Sequence, residues 1–451
     1  EAISELHRWL HVEAMDIVRV EQLAIAYGEK MNEVGVPVDR VFKGAVVVHP
    51  QVGVMTFIWE KESGMFIEKP YARYKKTTKE RIEEGELDGD EPLVSLAMGA
   101  PYVRIKGDDP NLPKDCEWMK KDGYVELYGL PTVSQNKTEK GKMEGGYTWS
   151  TKQQGGFTDE QIEIINGHLL DLCTVMRYHM KDFTMETLLK TYLGEDAGSR
   201  VHGGEIERGD GLIIRSVIWF SDIRGFTKMS GELTRHELLE VINGVFEVTE
   251  RVVRQHGGQI LKFMGDGIMV IFADNATSFQ RESLSSKEKR NLDEVHGAKL
   301  CQKARTAAEQ FQREISQLKN EREEAGLRGA SVGVGLHYGD VSYGNVGAPG
   351  RLDFTVIGTC VNLASRVESQ CSKLRAHVLA SSTFVNLDNA QHLWTRKGKH
   401  ELKGVSEPVE LYELGTTCSF LFESMESMSL LRSPVGHQDS LKGSMMAVSE
   451  S

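Results

Sequence analysis

Two apolar runs that each deliver one aspartate constrain this chain more than any other feature. The first is Val217-Ile-Trp-Phe-Ser-Asp222-Ile-Arg-Gly-Phe-Thr227 and the second is Lys262-Phe-Met-Gly-Asp266-Gly-Ile-Met-Val-Ile-Phe272, with a helix-like segment between them. An apolar run that meets Asp and Gly predicts a strand giving way to a turn. Neighbouring strands of this kind would present Asp222 and Asp266 to one divalent-metal site. A hard cation such as Mg²⁺ takes a few carboxylate oxygens and leaves its other positions to phosphate and water. Either aspartate alone is equally well a turn residue; the two together, with the residues below, favour the metal.

The second half of the constellation is Arg351-Leu-Asp-Phe-Thr-Val-Ile-Gly-Thr-Cys-Val-Asn-Leu-Ala-Ser-Arg366. A strand, Phe354–Ile357, breaks at Gly358, and Asn362 and Arg366 then stand at i, i+4 on one face of the following helix. The planar guanidinium fork grips phosphate oxygens. Alone such a pair is an ordinary solvated surface pair; its meaning comes from the aspartates. No Ser/His or Cys/His set suggests a covalent nucleophile. The fourteen histidines read as showing no metal-ligand spacing, with His202, His236 and His337 as structural or surface residues.

At 451 residues, two or three domains are expected, and 40% apolar residues suffice for ordinary cores. A net charge of −12 argues against a general nucleic-acid footprint. Six cysteines without a C-x-x-C pair suit free thiols in a reducing compartment. No apolar run is long enough for a membrane span, and no signal pattern opens the chain. A soluble, cytoplasmic protein is the expectation. Position 1 is Glu, not Met, so the chain reads as a fragment or processed form, and a missing upstream segment could still carry a membrane anchor.

Residues 1–40 read as helix, followed by strands at Gly44–His49, Val54–Trp59, Gly123–Leu130 and Gly146–Thr151. Residues 60–95 read as loops or edge elements and 136–142 as a hairpin tip. Thr158-Asp-Glu-Gln161 is a capping box. Ile162, Ile165, Leu169, Leu172, Met176, Met180 and Phe183 then step at heptad-like spacing, either to pair with a second copy or to cover their own sheet. Residues 273–294 read as a surface loop. A helix with Ala298, Cys301, Ala304, Ala308, Phe311, Ile315 and Leu318 on one face comes next, then a glycine-diluted strand, Ser331–His337.

With these residues in place, the chain from about Ala197 to Leu414 resembles the catalytic domain of a class III nucleotidyl cyclase. The resemblance rests on Phe220-Ser-Asp-Ile-Arg-Gly-Phe-Thr227, Lys262–Phe272, Thr355–Arg366 and Leu402-Lys403-Gly404, in the family's order. It implies an α+β fold with a ferredoxin-like βαββαβ core, dimerising head to tail with active sites between protomers. It implies that Asp222 and Asp266, with the Ile223 carbonyl, hold two Mg²⁺ or Mn²⁺ ions per site. Lys262 resembles the adenine-recognising lysine, where guanylate cyclases usually carry glutamate. Thr355 occupies the other base-selecting position and is typical of a subclass that includes soluble, bicarbonate-responsive enzymes. Asn362 resembles the ribose-orienting residue, Arg366 the arginine that stabilises the transition state, and Lys403 the lysine on the terminal phosphates. Gly225, Phe226 and Thr227 are assigned to substrate on the same resemblance. Residues 1–155 resemble a GAF-type α/β sensor more loosely, through strand order and the closing Gly-Phe-Thr-Asp-Glu-Gln helix.

The expected organisation is a sensor at 1–155, a helical, coiled-coil-like linker at 156–195, the cyclase domain at 196–414 and a disordered tail at 415–451. The expected activity is conversion of ATP to 3′,5′-cyclic AMP and pyrophosphate by a homodimer. An unidentified small molecule or protein would regulate it through the N-terminal domain, with bicarbonate a candidate activator. Two alternatives stand beside it: a guanylate cyclase, and a catalytically silent nucleotide-binding module. A diguanylate cyclase should show a Gly-Gly-Asp/Glu-Glu-Phe turn, and Phe263-Met-Gly-Asp-Gly is not one.

Overall fold

The computed structural model describes residues 1–17, 19–47, 50, 52–72, 78–83, 91–133, 143–273 and 286–415. The expected hairpin tip at 136–142, most of the expected loop after 273 and the expected tail from 416 lie outside them. The chain forms two compact units, Glu1–Gly204 and Glu205–Ser451. No described helix is long and apolar enough to cross a membrane.

The first unit opens with α1 (Ala2–Val12) and α2 (Val20–Glu33), then β1 (Arg40–Val46), β2 (Val52–Glu60) and β3 (Met65–Ala72). The helix expected to reach residue 40 stops at Glu33. Gly35 at φ +90 ends it, and Pro37 removes the N–H that a further turn would need. Next come α3 (Thr78–Glu83), α4 (Pro92–Ala97), β4 (Val103–Lys106), α5 (Glu117–Asp122), β5 (Glu126–Val133) and β6 (Met143–Thr151). The strands form one antiparallel sheet in the order β3-β2-β1-β6-β5-β4. Strand β4 is too short for its alternation to be legible.

The long α6 (Asp159–Leu193) and short α7 (Glu195–His202) close the unit. The capping box forms: Gln161 N donates to Thr158 Oγ1 at 3.2 Å, and Thr158 N donates to Gln161 Oε1 at 2.9 Å. Ile165, Leu172 and Met176 are buried, and Ile162, Leu169, Met180 and Phe183 pack beside them against Leu6, Leu10, Phe57 and Trp149. The heptad-like stripe therefore covers the core of its own unit. Glu126, fully buried, fixes the approach to this helix. Burial pushes its carboxyl up, but hydrogen bonds from Arg104, Lys106 and the Phe157 N–H outweigh this and hold it below the usual range.

The second unit runs β7 (Gly211–Ile223), α8 (Phe226–Glu232), α9 (Arg235–Gln255), β8 (Gln259–Met264), β9 (Gly267–Ala273), α10 (Ser286–Glu324) and β10 (Val332–Ala348). These strands lie in the order β10-β7-β9-β8, antiparallel throughout, which is the ferredoxin-like βαββαβ arrangement. The expected face of α10 is the buried one: Cys301, Ala304, Ala308, Phe311 and Ile315 pack on Trp219 and Phe272. This helix begins at Ser286, earlier than expected. Its first turns, rich in Lys, Glu and Arg, are helical by propensity and carry no apolar periodicity.

The chain continues through β11 (Arg351–Ile357), α11 (Thr359–Glu368), α12 (Gln370–Leu374), β12 (Val378–Ser381), α13 (Ser382–Leu387), β13 (Trp394–His400) and β14 (Val409–Leu414). Strand β12 joins β10 in parallel, β14 and β13 extend that edge, and β11 pairs with the far half of β10. The glycine dilution of β10 has a steric cause. A Cβ at Gly335 would lie 2.3 Å from the Glu368 backbone nitrogen, so α11 rests directly on that strand.

Candidate functional site

Asp222 is the penultimate residue of β7, set opposite Gly267 on β9 and Gly333 on β10. Asp266 precedes Gly267 in the turn Gly265-Asp266, which closes the β8–β9 hairpin where Met264 pairs with Gly267. Gly265 has φ +69, a conformation that glycine takes without steric cost. A Cβ on Gly267 would lie 3.2 Å from Asp222 Oδ1, so the bare glycine leaves room for that carboxylate beside the hairpin.

The two carboxyls come within hydrogen-bond reach of each other. Burial first, then the charge of Asp266 and the hydrogen bond with it, push Asp222 up to about 6. Crowded carboxylates that a proton relieves are relieved better by a divalent cation. The donor set therefore fits the metals that the sequence implies. Ile223 buries its side chain in the core, which pins the backbone immediately after Asp222.

A third carboxylate, Glu368, stands near the pair at the end of α11. Burial pushes it up to about 7, the charges of Asp222 and Asp266 add to this, and Arg224 opposes them. Arg224 donates from its guanidinium to the Ala376 carbonyl and from its backbone N–H to Ser331 at 2.8 Å. Sequence reading passed over Glu368 because it lies two residues beyond Arg366, past the end of the recognised motif.

Lys262, on edge strand β8, donates to Asp353 Oδ2 at 2.6 Å. The Asp353 carboxyl is held below the usual range by this bond, against a small effect of burial, and by the charges of Lys262 and Arg351. Asp353 lies within Arg351–Arg366, and its partner Lys262 stands 91 residues away in sequence, beyond the reach of any local pattern. Along β11, Phe354 and Val356 are buried, whereas Asp353 and Thr355 are half-buried on the other face. That alternation brings the Lys262–Asp353 pair to the same side of the strand as Thr355.

Asn362 and Arg366 are exposed on α11, and no described residue bonds either side chain. The neighbouring Val367 is buried with Leu402 in a small core, so the exposed Lys403 is anchored beside the same helix. Gly225, at φ 68, starts α8; Phe226 packs on the core and Thr227 is exposed. One chain thus brings Asp222 to Asp266, and Lys262 to the strand of Thr355, but leaves Asn362, Arg366 and Lys403 facing outward. The histidines singled out in the sequence are structural or surface residues: buried His337 bonds Ser381, His202 pairs with Asp182, and the exposed His236 pairs with Glu240 one turn on.

Residues 215–416 match the family described as the adenylate and guanylate cyclase catalytic domain. An adenylate cyclase of Anabaena cylindrica is 32% identical over 212 residues, covering 46% of this chain and 38% of that protein. Adenylate cyclase 1 of Rhizobium meliloti is 27% identical over 43% of this chain and 26% of its own length. Among solved structures, the adenylyl cyclase CyaB from P. aeruginosa is 28% identical with a TM-score of 0.38, covering 46% of this chain and 97% of that one. The chain thus spans well under half of the curated relatives it matches.

Proposed function

We propose that this chain, whose residues 215–416 are a class III adenylate and guanylate cyclase catalytic domain, is an adenylate cyclase converting ATP to 3′,5′-cyclic AMP and pyrophosphate. The observation that carries the reading is the meeting of Asp222 and Asp266 between strand end and hairpin, with proton affinity raised at Asp222. Mg²⁺ or Mn²⁺, two ions per site held by Asp222, Asp266 and the Ile223 carbonyl, would activate the ribose 3′-hydroxyl and neutralise the triphosphate.

The chain's own residues do the rest. Lys262 recognises the adenine edge, with Asp353 holding its ammonium in place and Thr355 beside it. Asn362 orients the ribose, so that the 3′-oxygen lies in line with the α-phosphorus. Arg366 meets the charge that grows on the α-phosphoryl oxygens as that bond forms and the bond to pyrophosphate breaks. Lys403 holds the terminal phosphates, and the Gly225–Thr227 turn borders the substrate.

A homodimer completes the site. Asn362 and Arg366 stand exposed on α11 without a described side-chain partner, which leaves them to a second copy: two chains in head-to-tail contact build two equivalent sites. The exposed Phe263, Met264 and Ile357, next to Lys262 and Thr355 in sequence, support an apolar contact there. Residues 1–155 act as a sensor of an unidentified signal, followed by a helical linker at 156–195. Thr355 favours bicarbonate activation, and a flat response to bicarbonate at fixed pH would remove that part.

The test is cyclic nucleotide formation from ATP or GTP with Mg²⁺ or Mn²⁺, beside an Asp222→Ala control. Cyclic AMP from ATP alone, abolished in the control, is the expected result. Cyclic GMP from GTP would transfer the reading to a guanylate cyclase, and no product from either base would leave a binding module.

A further inference from the structure

His7 and His11 sit one turn apart on α1 with nearly parallel rings, centroids 6.5 Å apart and planes 17° from each other. Both face a single carboxylate on α6. His7 Nδ1 lies 2.7 Å from Asp171 Oδ2, and His11 Nε2 lies 2.8 Å from Oδ1. A ligand atom from each of the three lies within 4.8 Å of the others. The sequence reading found no metal-ligand spacing among the histidines. The i, i+4 pair is there, and its third partner is 160 residues further along the chain from His11.

Two imidazoles at i, i+4 project from the same side of a helix, as in helix-borne zinc sites. Two nitrogens and one carboxylate oxygen suit Zn²⁺ and its first-row neighbours, whereas Mg²⁺ and Ca²⁺ prefer all-oxygen sets. The Asp171 side chain is 17% exposed and so is held in place, whereas His7 and His11 are 44% and 51% exposed. Solvent therefore reaches the fourth position, where a water would complete a tetrahedron. His168, one turn before Asp171, does not join the set. Its Nε2 receives the Tyr27 hydroxyl at 2.7 Å, and its Nδ1 bonds the Ile164 carbonyl at 2.6 Å.

We propose that His7, His11 and Asp171 bind one divalent transition-metal ion of the zinc class, which ties α1 to α6 within the N-terminal unit. This goes beyond the cyclase reading and does not depend on it.

The probe is Co²⁺ added to the metal-stripped full chain in excess Mg²⁺, which occupies the hard carboxylate site. Bound Co²⁺ is measured by equilibrium dialysis and by its visible absorption. The parent chain should retain one equivalent more than a His7→Ala/His11→Ala variant. His7→Gln is the second variant, because a glutamine amide can still donate to Asp171 but is a poor transition-metal ligand. Loss of even an outer-shell partner weakens metal binding roughly 10- to 100-fold, so His7→Gln should lose at least that much affinity. An Asp222→Ala chain should keep the Co²⁺ equivalent, which separates this result from any failure of the cyclase assay. Equal Co²⁺ retention by the parent and both histidine variants, or none by the parent, would overturn the site and leave a histidine–carboxylate ion pair.

Discussion

For Asp222, the proposed metal ligand, a raised proton affinity would couple metal, pH and stability. A carboxylate whose folded-state pKa, about 6 here, exceeds its unfolded value of ~3.9 contributes stability that is complete below the unfolded value. That contribution is lost as pH rises through about 6, where the ionised pair with Asp266 must be held together. In chelator at pH 8, Asp222→Asn should therefore melt higher than the parent. The gap should close at pH 4.5 and shrink when Mg²⁺ is added to the parent; thermal melts in the two buffers check both. Proton and metal compete for the same oxygens, so the Mg²⁺ concentration for half-maximal cyclase activity should fall as pH rises from 5.5 to 7.5. The Lys262–Asp353 pair carries a different expectation. If Asp353 positions the ammonium for adenine, Asp353→Asn should lower kcat/KM for ATP about tenfold, chiefly through KM, while GTP turnover changes little. An unchanged ratio of the two substrates in initial-rate assays would make the pair a surface ion pair only.

At the scale of elements, α11 is held where it is by the glycines of β10. Gly335→Ala would thrust a methyl group to 2.3 Å from the Glu368 backbone, and backbone cannot swing aside as a side chain does. The helix must back off, taking Asn362 and Arg366 with it. Misplacement by about 1 Å can cost roughly 100-fold in rate, so cyclase activity should fall far more than the melting temperature; a retained rate would show that α11 has slack. Legibility in the sequence followed the same physics. The capping box of α6, the apolar face of α10 and the strand-to-turn aspartates are local patterns, and the structure places each as read. Strand β4 and the first turns of α10 lack a periodic apolar face, so no pattern announced them, whereas the early end of α2 was marked by Gly35 and Pro37. Glu368, Asp353 and the trio of His7, His11 and Asp171 were hidden for another reason. Each gains its meaning from a partner distant in sequence, and spacing along one chain cannot reveal such a meeting.

At the scale of the whole molecule, the decisive question is whether Asn362 and Arg366 serve the aspartates of their own chain or those of a second copy. Asp222 and Asp266 converge between β7 and the β8–β9 hairpin, whereas Asn362 and Arg366 stand exposed on α11 with no described partner. If two copies supply the missing halves to each other, damage to either set is complementable. Asp222→Ala removes a metal carboxylate, and Arg366→Ala removes the fixed cation, a loss of about 100- to 1,000-fold in rate. Each variant alone should be nearly silent, since both of its sites carry the same lesion. Mixed in equal amounts and allowed to exchange, half of the dimers contain one chain of each kind. In these, both lesions fall in one site and the other site is intact. About one quarter of parental activity should therefore return, from two chains that are each inactive. The measurement is cyclic AMP formation against mixing ratio, which should peak at equal amounts. A mixture no more active than its components would mean that each chain builds its site from its own residues, and the head-to-tail dimer would have to be abandoned.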